Sequence, residues 1–93
     1  MINDFAETLI PIPGSDGIIC SYGGVVLFDV TVENASAPSG DLIFYDNTAG
    51  SGTILAVIPA TGPNQTYPVR RQAHKAIYVT GTGGWQGSIG VSS

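Results

Sequence analysis

The sequence predicts an all-β chain: a single compact antiparallel β-sandwich or jelly-roll-like barrel of seven to eight short strands. Three observations carry that prediction. Asp41 to Pro59 reads D-L-I-F-Y-D-N-T-A-G-S-G-T-I-L-A-V-I-P, where two short apolar runs rich in β-branched and aromatic residues flank a turn of small and polar ones. That pattern is a β-hairpin with a long tip. Thirteen glycines and six prolines punctuate the chain at short intervals and never gather into a linker. No stretch keeps the apolar spacing of an amphipathic helix.

The elements follow in order. Thr8 to Ile12 is a first extended piece ended by Pro13-Gly14, and Gly17 to Tyr22 is the next. Val25 to Glu33 alternates most clearly, with Val26, Phe28, Val30 and Val32 on one face and Asp29, Thr31 and Glu33 on the other. Val25 and Leu27 interrupt the polar face, so that end of the strand is expected to be covered on both sides. Asn34 to Gly40 is a loop, and the hairpin follows with strands Leu42–Tyr45 and Ile54–Ile58. Ala60 to Asn64 turns the chain into an extended Gln65 to Arg71, where Pro68 argues for an edge position. Lys75 to Thr80 and Gln86 to Ser92 are the last strands, separated by the turn Gly81-Thr82-Gly83-Gly84. Residues 1–13 are an N-terminal arm or a first edge strand, in which Asp4 to Glu7 could cap one helical turn; residues 14–93 are the sandwich domain.

Ninety-three residues make one core. Charged residues are 11% of the chain against 43% apolar, too few to cover the large surface of a small domain. Ser, Thr, Gly and Asn must do that work, or part of the surface is buried against other subunits. Net charge is −4, with Arg70, Arg71 and Lys75 the only cations, too weak an electrostatic footprint for nucleic acid. The start lacks the pattern of a signal peptide, and no apolar run is long enough to span a bilayer. The expectation is a protein made in a cytoplasm and not exported. Asn34-Ala35-Ser36 and Asn64-Gln65-Thr66, which match the glycosylation pattern, are then turn residues.

Little in the chain suggests catalysis. His74 is the only histidine and lies in the polar stretch Arg71-Gln72-Ala73-His74-Lys75, a solvated loop, with no G-x-S-x-G elbow to supply a nucleophile. One His and one Cys are too few for zinc, and Cys20 in Ile18-Ile19-Cys20 reads as a small buried hydrophobe. Asp41, Asp46 and Asn47 could offer oxygen to a cation, but their spacing fits no calcium loop and suits turn chemistry better. Gly81 to Gly84 lacks the Lys and helix of a phosphate cradle. Trp85 beside it either plugs the end of the core, anchors an interface, or stacks on a sugar. No catalytic residue, metal or cofactor is expected.

Both faces of the hairpin are apolar: Leu42 and Phe44 alternate with Ile43 and Tyr45, and Ile54, Ala56 and Ile58 with Leu55 and Val57. The outer face of a two-layer sandwich should be polar. Ile43, Leu55 and Val57 exposed together would form the kind of patch that marks an interaction site, which predicts an oligomer.

Gly40-Asp41-Leu42-Ile43-Phe44-Tyr45-Asp46-Asn47-Thr48 followed by Gly52-Thr53-Ile54-Leu55-Ala56-Val57-Ile58 resembles a pattern common in small all-β virion proteins of tailed phages. Ala76-Ile77-Tyr78-Val79-Thr80-Gly81-Thr82-Gly83 and Gly87-Ser88-Ile89-Gly90-Val91 continue it, so the resemblance covers roughly residues 25 to 93. Such domains occur in capsid decoration (cement) proteins, head fibres, and tail or neck components. The resemblance implies a non-enzymatic decoration protein on the outer capsid surface. It would be a homo-oligomer, favoured as a trimer, bound to the major capsid protein, with no nucleic acid or membrane partner. Interface anchors are then Phe5, Tyr45, Tyr67, Tyr78 and Trp85, with Arg70 and Arg71 as charged partners and Ile43, Leu55 and Val57 as the apolar patch. The alternative is a head-fibre or tail-associated domain binding host glycan, with Trp85 and the tyrosines as a stacking platform beside Asp46 and Asn47.

Overall fold

The computed structural model describes residues 8–33 and 38–92. The strands are β1 (Thr8–Pro11), β2 (Gly17–Cys20), β3 (Val25–Val32), β4 (Leu42–Asp46), β5 (Thr53–Ile58), β6 (Thr66–Ala73), β7 (Ile77–Thr80) and β8 (Gly87–Ser92). They form two four-stranded antiparallel sheets, ordered β1-β8-β3-β6 and β2-β7-β4-β5. Only β4 and β5 are sequence neighbours within one sheet; every other connection crosses between sheets. These orders are those of a double-Greek-key jelly roll. The readings of an arm over Met1 to Glu7, of Phe5 as an anchor, and of a loop over residues 34–37 lie outside the described residues.

The core fills the space between the sheets. Leu27, Val30, Leu42, Phe44, Ile77, Val79 and Ile89 are fully buried there. Leu42 and Phe44 on β4, and Ile77 and Val79 on β7, face inward by the two-residue period of their strands, which is why short apolar runs suffice to build the domain.

β3 departs from simple alternation. Val25 and Leu27 are buried, Val26 and Phe28 half-buried, and Val30 and Val32 buried again. The inward face therefore changes from odd to even positions, and the expectation that Val26, Phe28, Val30 and Val32 share the core face is corrected. A β-bulge is the cause. Against β8, Leu27 pairs with Val91 but Asp29 with Gly90, so Phe28 is an inserted residue. Against β6 the extra residue lies on the other strand: Leu27 pairs with Arg71 and Asp29 with Pro68. Arg70 in that gap has φ +58°, the only non-glycine residue with positive φ in the described chain. Left-handed backbone costs an L-residue roughly 1–2 kcal/mol and glycine nothing. Arg70→Gly is accordingly expected to raise stability by about 0.5–1 kcal/mol, read as a higher urea midpoint at unchanged slope. A lower midpoint would mean that the arginine side chain, although exposed, contributes packing worth more than the strain.

Pro68 does lie on an edge strand, β6, consistent with its missing donor. β6 runs on to Ala73, two residues past its expected end, and β7 begins at Ile77. Residues 74–76 are left as a tight connection between sheets. At the opposite end of the molecule the turn after β7 approaches β4 closely. Gly81 has φ +75°, and a Cβ there would fall on the carbonyl oxygen of Asp41.

Candidate functional site

The outer face of the β2-β7-β4-β5 sheet is the surface that most departs from a soluble domain's usual pattern. Ile18 pairs with Tyr78, Tyr78 with Tyr45, and Tyr45 with Ile54, so the four side chains form one row across all four strands. Thr80, Ile43 and Val57 form the row beside it. Residues opposite each other in antiparallel strands project to the same face. Ile18, Ile54 and Val57 are 50%, 45% and 46% exposed, while Ile43, Tyr45 and Tyr78 are half-buried. The hairpin tip folds over part of this face: a Cβ on Gly50 would lie 2.8 Å from Thr80 Cγ2 and 3.4 Å from Tyr78 Cε1. These four strands carry one charged residue, Asp46, and it is buried. The result is an uncharged apolar face, as the apolar hairpin suggested.

Its membership differs from the expectation at three residues, Leu55, Ile54 and Ile18. Leu55 is 5% exposed and packs in the core. The pairing of β4 with β5 shifts between Phe44–Ala56 and Tyr45–Ile54, leaving Leu55 as an extra residue. The bulge turns Leu55 inward and puts Ile54 in its place on the outer face. Ile54 and Ile18 were missed because a strict two-residue period assigned Ile54 to the core, and Ile18 was read only as part of a short apolar run.

The other anchor residues lie elsewhere. Trp85 is 7% exposed, and its Nε1–H donates to the Gly40 carbonyl oxygen at 3.1 Å. It plugs the core, and its place as a surface anchor is corrected. Tyr67 is half-buried at the open side of the sandwich, its hydroxyl donating to the Pro63 carbonyl oxygen at 2.6 Å. It helps line a groove of about 290 Å³ between β5 and β6, with Leu55, Val57, Ile58, Val69 and Arg71 among its walls. Arg70 and Arg71 are exposed on β6.

The polar residues considered for cation binding hold the fold's loops. Asp46, on the inner side of β4, accepts from three consecutive backbone N–H groups. Both of its oxygens take the His74 N–H (2.9 and 3.0 Å), and Oδ1 takes those of Lys75 (2.7 Å) and Ala76 (3.4 Å). Burial pushes this carboxyl up, but the three N–H donors and the nearby His74 outweigh burial and hold it below the usual aspartate value. Asp41 Oδ1 accepts from Ala60 N–H at 2.9 Å, and Asn47 closes the hairpin tip through Thr48 N–H and the Ser51 carbonyl. Asp16 Oδ1 accepts from both the N–H and the hydroxyl of Thr82, joining two turns. Among the described residues no group of three or more His, Cys, Asp or Glu could hold a metal ion. Cys20 is buried, its thiol directed at the Tyr22 carbonyl oxygen at 3.5 Å.

The arrangement can therefore bind by burial of apolar area more readily than by ionic or coordinate bonds. A scan against protein-family models, a search of curated proteins and a search of solved structures return no match for this chain.

Proposed function

We propose that the chain is a non-enzymatic structural protein of a tailed-phage virion, a capsid decoration protein that oligomerises on the head and stabilises the shell. The observation that carries this reading is the uncharged face formed by Ile18, Ile43, Tyr45, Ile54, Val57 and Tyr78. Support comes also from the resemblance over residues 25–93 and, by analogy of fold alone, from the use of jelly rolls in capsid proteins. The three half-exposed side chains Ile18, Ile54 and Val57 would contribute about 1 kcal/mol each when covered. That is weak for one copy, but an oligomer engaging repeated sites on a particle multiplies it. The shell is held because each bound copy adds contacts across a junction between capsid subunits.

The head-fibre alternative is less favoured, since Trp85 is buried and Asp46 is occupied by backbone donors, which leaves it the tyrosines and Asn47. Light scattering is the first test, with a mass near three times 9.6 kDa expected for a trimer. Ile54→Ser with Val57→Ser is expected to change the stability of the isolated chain by less than about 1 kcal/mol, both residues being half-exposed. The same pair of changes should reduce binding to emptied phage heads at least tenfold in a co-sedimentation assay. Wild-type retention by the double variant would remove the reading's main support, and retention of wild-type protein on a glycan array without binding to heads would favour the fibre role.

A further inference from the structure

Among the described residues, the cations lie toward one end of the sandwich and three of the four exposed or half-buried carboxylates toward the other; Asp4 and Glu7 lie outside the described residues. Arg70 and Arg71 lie in the half of β6 that pairs with the start of β3, and His74 and Lys75 follow in the connection to β7. All four are exposed, and they include every lysine and arginine of the chain. Asp46 beneath this corner is buried, and its charge is already met by the N–H groups of residues 74–76. Asp16, Glu33 and Asp41 are exposed at the other end. Asp16 is bonded to Thr82 in the β7–β8 connection, Glu33 follows the last residue of β3, and Asp41 precedes β4. Asp29 lies midway. The two ends are separated by the length of β3, eight residues or about 23 Å.

We infer that copies of this chain meet end to end, the Arg70-Arg71-Lys75 corner of one against the Asp16, Glu33 and Asp41 end of the next. Charge complementarity selects this contact. Two basic ends or two acidic ends repel, so the contact is head-to-tail and not two-fold symmetric. Such a contact closes into a ring or continues as a chain. In a closed ring every copy presents its apolar β2-β7-β4-β5 face in an equivalent position, outside the end-to-end contact. The inference rests on the oligomeric part of the proposed function and is independent of the phage assignment.

The salt dependence is distinctive. Net charge is −4, so at about 10 mM salt, where the screening length is roughly 30 Å, copies repel as whole anions. Near 0.1 M the screening length falls to about 10 Å, shorter than the separation of the ends, and each end acts alone. At 1 M it is about 3 Å and the attraction is lost. Weight-average mass by sedimentation should therefore rise and then fall between 10 mM and 1 M. Association through the apolar face alone would instead strengthen steadily with salt, and that result would overturn the inference, as would a monomer throughout.

Charge reversal gives the second arm. Arg71→Glu with Lys75→Glu makes both ends acidic, while Glu33→Lys with Asp41→Asn and Gln86→Lys makes both basic, the asparagine keeping an oxygen for the Ala60 N–H; all five positions are exposed. Each variant alone is expected to stay monomeric at 0.1 M salt, and an equimolar mixture to associate. No association in the mixture, with both variants showing wild-type circular dichroism, would overturn the end-to-end contact while leaving the phage reading open to its own head-binding test.

Discussion

Asp46→Ala is expected to lower the unfolding free energy by about 3 kcal/mol, a fall of more than about 12 °C in Tm for a domain of this size. The aspartate accepts from three successive N–H groups in a connection that has no regular structure of its own. Without it, the donor of Ala76, a fully buried residue, is left with no acceptor and little access to water. Asp46→Asn keeps the shape and one carbonyl oxygen but turns an NH₂ group toward the donors, and it should lose about half as much. The pH dependence has a fixed sign. The folded carboxyl titrates below its unfolded value, so the unfolded chain binds the proton first as pH falls. The stabilisation is fully present above the unfolded aspartate value of about 3.9 and disappears as pH drops through the lower folded value. Urea midpoints measured from pH 6 to pH 2 should fall more steeply below pH 4 for the wild type than for Asp46→Asn. Parallel curves would mean that the clamp contributes nothing.

Trp85→Ala should cost about 4 kcal/mol, the usual range for deleting a large aromatic from a core. Two losses combine: a cavity at the end of the sandwich, and a Gly40 carbonyl oxygen deprived of the indole N–H. Trp85→Phe fills most of the space but not the hydrogen bond, and it should recover more than half. Thermal melts of the three proteins decide the role of the ring. A stable Trp85→Ala that lost only the ability to bind a ligand would make the tryptophan a surface residue, against its burial.

The strands were legible in the sequence because turn residues bound each one closely. Gly23-Gly24 precedes β3, Pro13-Gly14 follows β1, and Gly81 to Gly84 separate β7 from β8. Which side of a strand faces inward was less legible, and for one physical reason. Period-two reasoning assumes unbroken pairing, and a single inserted residue reverses it. Phe28 does this in β3 and Leu55 in β5, and in both cases the inserted residue is apolar, so composition gives no warning. The apolar character of the outer face survived that error because both sides of the hairpin are apolar; its membership did not. The clamp by Asp46 could not be read at all. Its partners lie 28 to 30 residues away and are backbone groups, which carry no side-chain signature. The separation of charge between the two ends has the same origin: Asp16, Glu33 and Asp41 are scattered in sequence and gathered only by the crossing connections.

The strand order β1-β8-β3-β6 also governs the time course of assembly. β8 is synthesised after the other seven described strands, yet it supplies the central hydrogen bonds that join β1 to β3, with Thr8 opposite Val91. Until residues 87–92 exist, β1 has no partner, and one edge of β3 presents unpaired N–H and C=O groups to any extended segment nearby. The β4–β5 hairpin, closed over a short loop, can form within microseconds, but the sheet opposite it must wait for a contact spanning nearly the whole chain. Folding is therefore expected in milliseconds to seconds, with the nascent chain most prone to aggregate just before β8 is complete.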